Sequence, residues 1–205
     1  MNIPWYIWIS VFSIVLPLVG VVIYLTQRQR TGYDQRIFAT LIITSSIVQA
    51  AGLVMALNLV DNYLLNHIYT IVELGLILMI LNNWLPKRSK IVYLFIIPVI
   101  SAEFIYGNIN TFDDALTICE ASVLLIVCIA VLFKTVFKKN CRFYKIAFVS
   151  AIMEYSILAL LSFLIIREHA GAAMIIFSAG NITNNILLGV TAWSMITRFT
   201  YAQAG

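Results

Sequence analysis

The sequence predicts an all-α protein, a polytopic membrane bundle of seven transmembrane helices with the N-terminus outside and the C-terminus in the cytoplasm. Three observations lead to this fold class. Hydrophobic residues fill 62% of the 205 positions and charged residues 11%, whereas a soluble domain carries about 25% charged residues to cover its surface. Apolar runs approaching the roughly 20 residues that cross a bilayer recur seven times. The segments between them alternate between strongly basic and acidic or neutral.

The runs lie at about 4–26, 37–59, 63–85, 91–106, 114–137, 145–166 and 172–197. They occupy nearly all of residues 1–205, so a single transmembrane domain is expected, without a soluble module. Residues Met1–Ser10 contain no Lys or Arg, and no small-residue cleavage site follows. A cleavable signal peptide needs both, so the first run is expected to remain as a helix. Polar residues from Gln27 to Arg36 separate it from the second run, and Asp61 and Asn62 separate the second from the third. Pro86-Lys87-Arg88-Ser89-Lys90 ends the third run, because proline has no N–H with which to continue the helical ladder. Pro98 is expected to kink the fourth, and Pro17 the first. Gly107 to Asp114 forms the next turn, with Thr111 or Asp113 able to cap the fifth run. Lys138 to Lys145 follows the fifth and Arg167-Glu168-His169 the sixth.

Orientation follows from the basic residues. Arg28, Arg30 and Arg36 lie in the first connection, and Lys87, Arg88 and Lys90 in the third. Lys134, Lys138, Lys139, Arg142 and Lys145 lie around the fifth, and Arg198 follows the last run. Twelve of the 13 Lys and Arg therefore share one side, with only Arg167 opposite. The positive-inside rule makes that side cytoplasmic and predicts a multi-pass protein of the cytoplasmic (inner) membrane. The net charge of +4 is thus a consequence of topology and does not point to nucleic acid. Trp5, Tyr6 and Trp8 suit the outer interface and Trp84 the inner one. Cys119, Cys128 and Cys141 are odd in number and scattered, so they define no disulfide framework and no metal-ligand spacing.

The informative residues are polar groups inside the spans. Glu73, Glu103, Glu120 and Glu154 all fall within apolar runs. A charged side chain at a helix centre costs about 2.5–3.5 kcal/mol on insertion scales. No Lys or Arg lies in the middle of any run. These carboxyl groups must therefore be protonated, bonded to neutral partners, or open to water or ligand. Helical rise places Glu73 and Glu154 near the middle of their spans, and Glu120 about two turns below the outer end of the fifth. Other polar groups fall at the same level. Asn66, Thr70 and Glu73 share a face of the third span, bordered by Tyr69. Ser178, Asn181 and Asn185 follow helical spacing in the seventh, while Ser45, Ser46 and Gln49 lie in the second. The outer half thus carries an excess of carboxyl and amide groups, and the inner half is apolar with a basic rim.

Plainer roles compete for several of these residues. Ser45, Ser46, Thr70 and Ser150 are of the kind that bond neighbouring membrane helices together. Glu103 is near enough to the outer surface to reach the headgroups. His67 suits helix packing as well as ligation, and His169 is a loop residue. Asn181-Ile182-Thr183 matches a glycosylation acceptor but lies inside a span. Glu73 and Glu154 resist such a reading, because midplane carboxyl groups are costly.

Several chemistries are disfavoured. The last run has no Lys to bind retinal, two His residues are too few for a zinc hydrolase site, and no Gly-rich phosphate loop occurs. No repeat relates the first three runs to the last three. No metal or cofactor is expected. The segment Asn66-His67-Ile68-Tyr69-Thr70-Ile71-Val72-Glu73 resembles a motif in small, uncharacterised bacterial seven-helix membrane proteins. That resemblance implies the topology and no activity.

The expected function is receptor-like or sensory. An outward-facing acidic and amide pocket would bind a small polar or cationic ligand or protons. Its candidate residues are Glu73, Glu154, Asn181 and Asn185 at the centre, with Tyr69, Glu120, Asn66 and Gln49 around them. Membrane lipids surround the bundle, and the basic cytoplasmic loops would meet a signalling partner. The alternative is a proton-coupled transporter in which Glu73 and Glu154 exchange protons. An intramembrane lipid hydrolase or transferase using two carboxyl groups ranks below both, because no nucleophile accompanies them.

Overall fold

A computed structural model describes residues 11, 15, 18, 19, 22, 32–85, 91–106, 114–136, 142–166 and 169–201. Every regular element among them is helical. We number these α1 (Tyr33–Leu57), α2 (Tyr63–Trp84), α3 (Ile91–Leu94), α4 (Ile96–Tyr106), α5 (Asp114–Val131), α6 (Phe143–Ile166) and α7 (Ala170–Tyr201). A π-helical turn, Leu132–Val136, continues α5. Among the described residues, four stretches are long and apolar enough to cross a membrane: Tyr33–Met55, Tyr63–Trp84, Leu116–Lys134 and Phe143–Ile165. Most of the first predicted span, including Pro17, and Cys141 lie outside the described residues.

Neighbours in sequence pack as neighbours in space: α1 against α2, α4 against α5, α5 against α6, and α6 along α7. The centre is formed where α2 meets α5. Leu74, Ile77, Leu78 and Leu81 of α2 recur at i, i+3, i+4 and i+7, and all are buried. Leu124, Val127, Cys128 and Val131 repeat the same spacing on α5. Phe148 and Ile152 of α6, with Phe38 and Leu41 of α1, complete this cluster. Gly180 marks a close approach of α7 to α6: a Cβ there would meet Leu158 Cδ1 at 2.8 Å and Leu158 Cβ at 3.2 Å.

The fourth predicted span, 91–106, departs from a simple kink. It breaks at Phe95, and Pro98 falls in the first turn of α4. The missing N–H of Pro98 would have bonded the Leu94 carbonyl, and its ring would clash with that same group. Starting a new helix just before Pro98 removes both penalties, since first-turn N–H groups have no helical partner.

Candidate functional site

Residues from four helices converge in the bundle interior. At about 1.5 Å per residue, Ser45 of α1, Glu73 of α2 and Tyr155 of α6 all lie about 16–18 Å from Tyr33, Trp84 and Phe143 respectively. These three termini share one end of the bundle, brought together by Asp34, Trp84 and Lys145. Exposed Arg36 and Arg142 lie on the same termini, and we call it the basic end.

Glu73 is the hub. Glu120 of α5, Tyr155 of α6 and Tyr69 of its own helix all lie within its electrostatic reach. Tyr155 reaches Glu120 as well. Glu120 is 2% exposed, and its Oε1 is buried without a hydrogen-bond partner. Glu73, Tyr69 and Tyr155 are half-buried. The Tyr69 hydroxyl lies beside Ser45 and Glu73, yet it makes no hydrogen bond of ordinary geometry. Gln49 Nε2 donates to Ser45 Oγ at 3.1 Å, which extends the polar group along α1. No Lys or Arg is available to this cluster from the middle of any span.

Glu154 turns elsewhere. It precedes Tyr155, so about 100° of helix rotation aims it at α7, where it lies beside Thr183. The Thr183 hydroxyl donates to the Ala179 carbonyl at 3.0 Å, which leaves its oxygen only as an acceptor. Glu154 Oε2 and Asn184 Oδ1 are buried without partners. The structure therefore pairs Glu73 with Glu120 and gives Glu154 separate surroundings on the α6–α7 face.

Asn66 is exposed near the start of α2, with its Nδ2 3.5 Å from Asn62 Oδ1. Asn185 is buried and has a partner. Asn181 belongs to α7 and Glu103 to α4, but their side chains lie outside the described residues. His67 is buried and partnered. No group of three His, Cys, Asp or Glu among the described residues is arranged to hold a metal.

Tyr155 escaped the sequence reading, although a signal existed. It follows Phe148 and Ile152 and precedes Ala159 at helical spacing, and all three are buried. A tyrosine on a core-facing stripe has a hydroxyl that needs a partner. Below the cluster, toward the basic end, the seam between α2 and α5 is apolar: Leu74, Ile77, Leu78, Leu124, Val127 and Cys128 are all 3% exposed or less. The polar group thus stands on a closed floor. In comparisons with protein-family models, curated proteins and solved structures, the chain matched none.

Proposed function

We propose that this chain is a seven-helix, receptor-like protein of the cytoplasmic (inner) membrane, N-terminus outside, that binds a small cationic ligand at Glu73 and Glu120. The described helices, the apolar run at 4–26 and the one-sided distribution of Lys and Arg support the seven spans and their orientation. In that orientation the basic end is cytoplasmic and the carboxyl cluster extends from the midplane, at Glu73, toward the outer face, at Glu120.

The observation that carries the binding reading is the carboxyl pair itself. Two acidic side chains on facing helices, one sealed and one half-buried, have two phenols and, among the described residues, no cation beside them. Like charges in a low-dielectric interior repel strongly, and an ammonium group between them removes the repulsion and satisfies Glu120 Oε1. The apolar floor favours a dead-end receptor site over proton-coupled transport, which needs a polar route onward.

The test uses purified protein in detergent, with methylammonium, tetramethylammonium and putrescine as probes. Saturation at 100 times Kd would stabilise the native state by about 2.7 kcal/mol. We expect at least one probe to raise the melting temperature of the wild type, and Glu73→Gln and Glu120→Gln to abolish that rise. Proteoliposomes should show no flux of the same probe. A melting temperature that ignores every probe, or a rise that survives both substitutions, would sink this reading.

A further inference from the structure

A second polar assembly lies at the basic end, eleven residues along α2 from Glu73. Asp34, in the first turn of α1, is the one acidic residue placed among the basic segments. Its Oδ2 accepts the Trp84 indole N–H at 2.6 Å, and its Oδ1 accepts a hydrogen bond from Asn83 Nδ2. These bonds fix the indole, which is 4% exposed. From α6, Lys145 Nζ lies 5.2 Å from the ring centroid, and Tyr144 and Phe148 meet the indole edge-to-face at 6.0 and 5.4 Å. Phe148 also meets Phe38 of α1 at 5.8 Å.

The backbone packing gives this assembly its significance. Among the described elements, α1 packs extensively only against α2, while α6 packs against α5 and α7. The α1–α2 hairpin therefore meets α6 at this end through long side chains centred on Trp84, without extensive backbone contact. An interface of that kind can part by turning a few side chains, and it leaves helix ridges elsewhere undisturbed. Charged groups meet the indole twice: Asp34 accepts its N–H within the α1–α2 hairpin, and Lys145 of α6 lies over its ring across the interface.

We infer that Asp34, Asn83, Trp84 and Lys145 form a releasable latch, a conformational switch that holds the basic end closed over the apolar core. Release separates the α1–α2 hairpin from α6 and opens the floor that includes Cys128, which is fully buried. The inference does not depend on what the carboxyl cluster binds.

Cys128 is a built-in reporter, and Cys119, half-buried on the same helix farther from the basic end, is its control. Two single-cysteine backgrounds retain one or the other. Vesicles of each are treated with a membrane-impermeant maleimide from either side, with and without Trp84→Phe, Asp34→Asn or Lys145→Met. Trp84→Phe keeps an aromatic ring but loses the donor and part of the ring volume, whereas Asp34→Asn keeps the shape and removes only the charge. The expected result is an increase of about tenfold or more in Cys128 labelling from the basic-end side, the scale set by losing a hydrogen bond to a charged group, with Cys119 labelling and melting temperature little changed. Cys128 labelling that stays at the wild-type rate in all three variants overturns the latch. So does a parallel rise at both cysteines with a fall in melting temperature, because that pattern is general loosening.

Discussion

If Glu120 is retained for binding, removing it should stabilise the protein. The residue is 2% exposed, and its Oε1 has no hydrogen-bond partner. Leaving a buried polar group unpaired costs about 1–3 kcal/mol, and replacing it by an apolar group of similar shape recovers much of that. Leucine at this position would extend the apolar surface of Leu124 and Ala121 on the same helix. Glu120→Leu is therefore expected to stabilise the fold by about 1–3 kcal/mol. For a chain of this size, about 2–4 °C accompanies each kcal/mol, so the melting temperature should rise by roughly 2–12 °C. Thermal unfolding in detergent measures this, with a thiol-reactive dye reporting exposure of Cys128 in a background that retains no other cysteine. Glu120→Gln, which keeps the polarity and loses the charge, should fall between wild type and Leu. A Glu120→Leu protein less stable than wild type by 1 kcal/mol or more would refute the reasoning, because it would mean that Glu120 is held by a stabilising network.

Two further predictions concern the scaffold. Gly180→Ala places a methyl 2.8 Å from Leu158 Cδ1 and 3.2 Å from its Cβ, so it should lower stability by about 1–3 kcal/mol through overpacking; in a Leu158→Ala background the same change should cost clearly less, since the Cδ1 contact is gone and only the 3.2 Å Cβ contact, which alanine keeps, opposes alanine's helix propensity. Leu59 adopts φ 56° while 96% exposed, so Leu59→Gly should relieve left-handed strain and stabilise by about 1 kcal/mol in thermal unfolding; a loss of stability would show that its side chain is used.

The long helices were legible because their signals are one-dimensional. Runs at 37–59, 63–85, 114–137 and 145–166 match α1, α2, α5 and α6 to within four residues at each end except for Leu132–Val136, where the helix changes to a π turn. The break at Phe95 was only half legible: Pro98 announced a disturbance but not on which side the chain would resolve it. For the site, helical phase within one sequence identified Tyr69 with Glu73, yet it carried no information on rotation between helices. That rotation decides that Glu120 faces Glu73 while Glu154 faces Thr183. The same ignorance hid the latch. Trp84 read as an interfacial aromatic and Asp34 lay unremarked within the polar stretch from Gln27 to Arg36, and only the meeting of α1 with the end of α2 joins them.

Along α2 the chemistry changes in a definite order. Tyr69 and Glu73 belong to the polar cluster, Leu74 to Leu81 form the sealed floor, and Asn83 and Trp84 belong to the basic-end assembly. A helix selected for stability alone would have no reason to bury a carboxyl group at its centre, where insertion costs about 2.5–3.5 kcal/mol for the charged form. Nor would it need to concentrate the contacts with α6 on one indole. A rigid helix with a ligand-sized acidic group at its centre and a side-chain-mediated contact at its end has the parts needed to relate events on the two sides of a membrane. If Glu73 and Trp84 are energetically coupled, the stability changes of Glu73→Gln and Trp84→Phe will not add, although about 16 Å of helix separates them. Strict additivity would instead make the cluster and the latch independent devices on a shared helix.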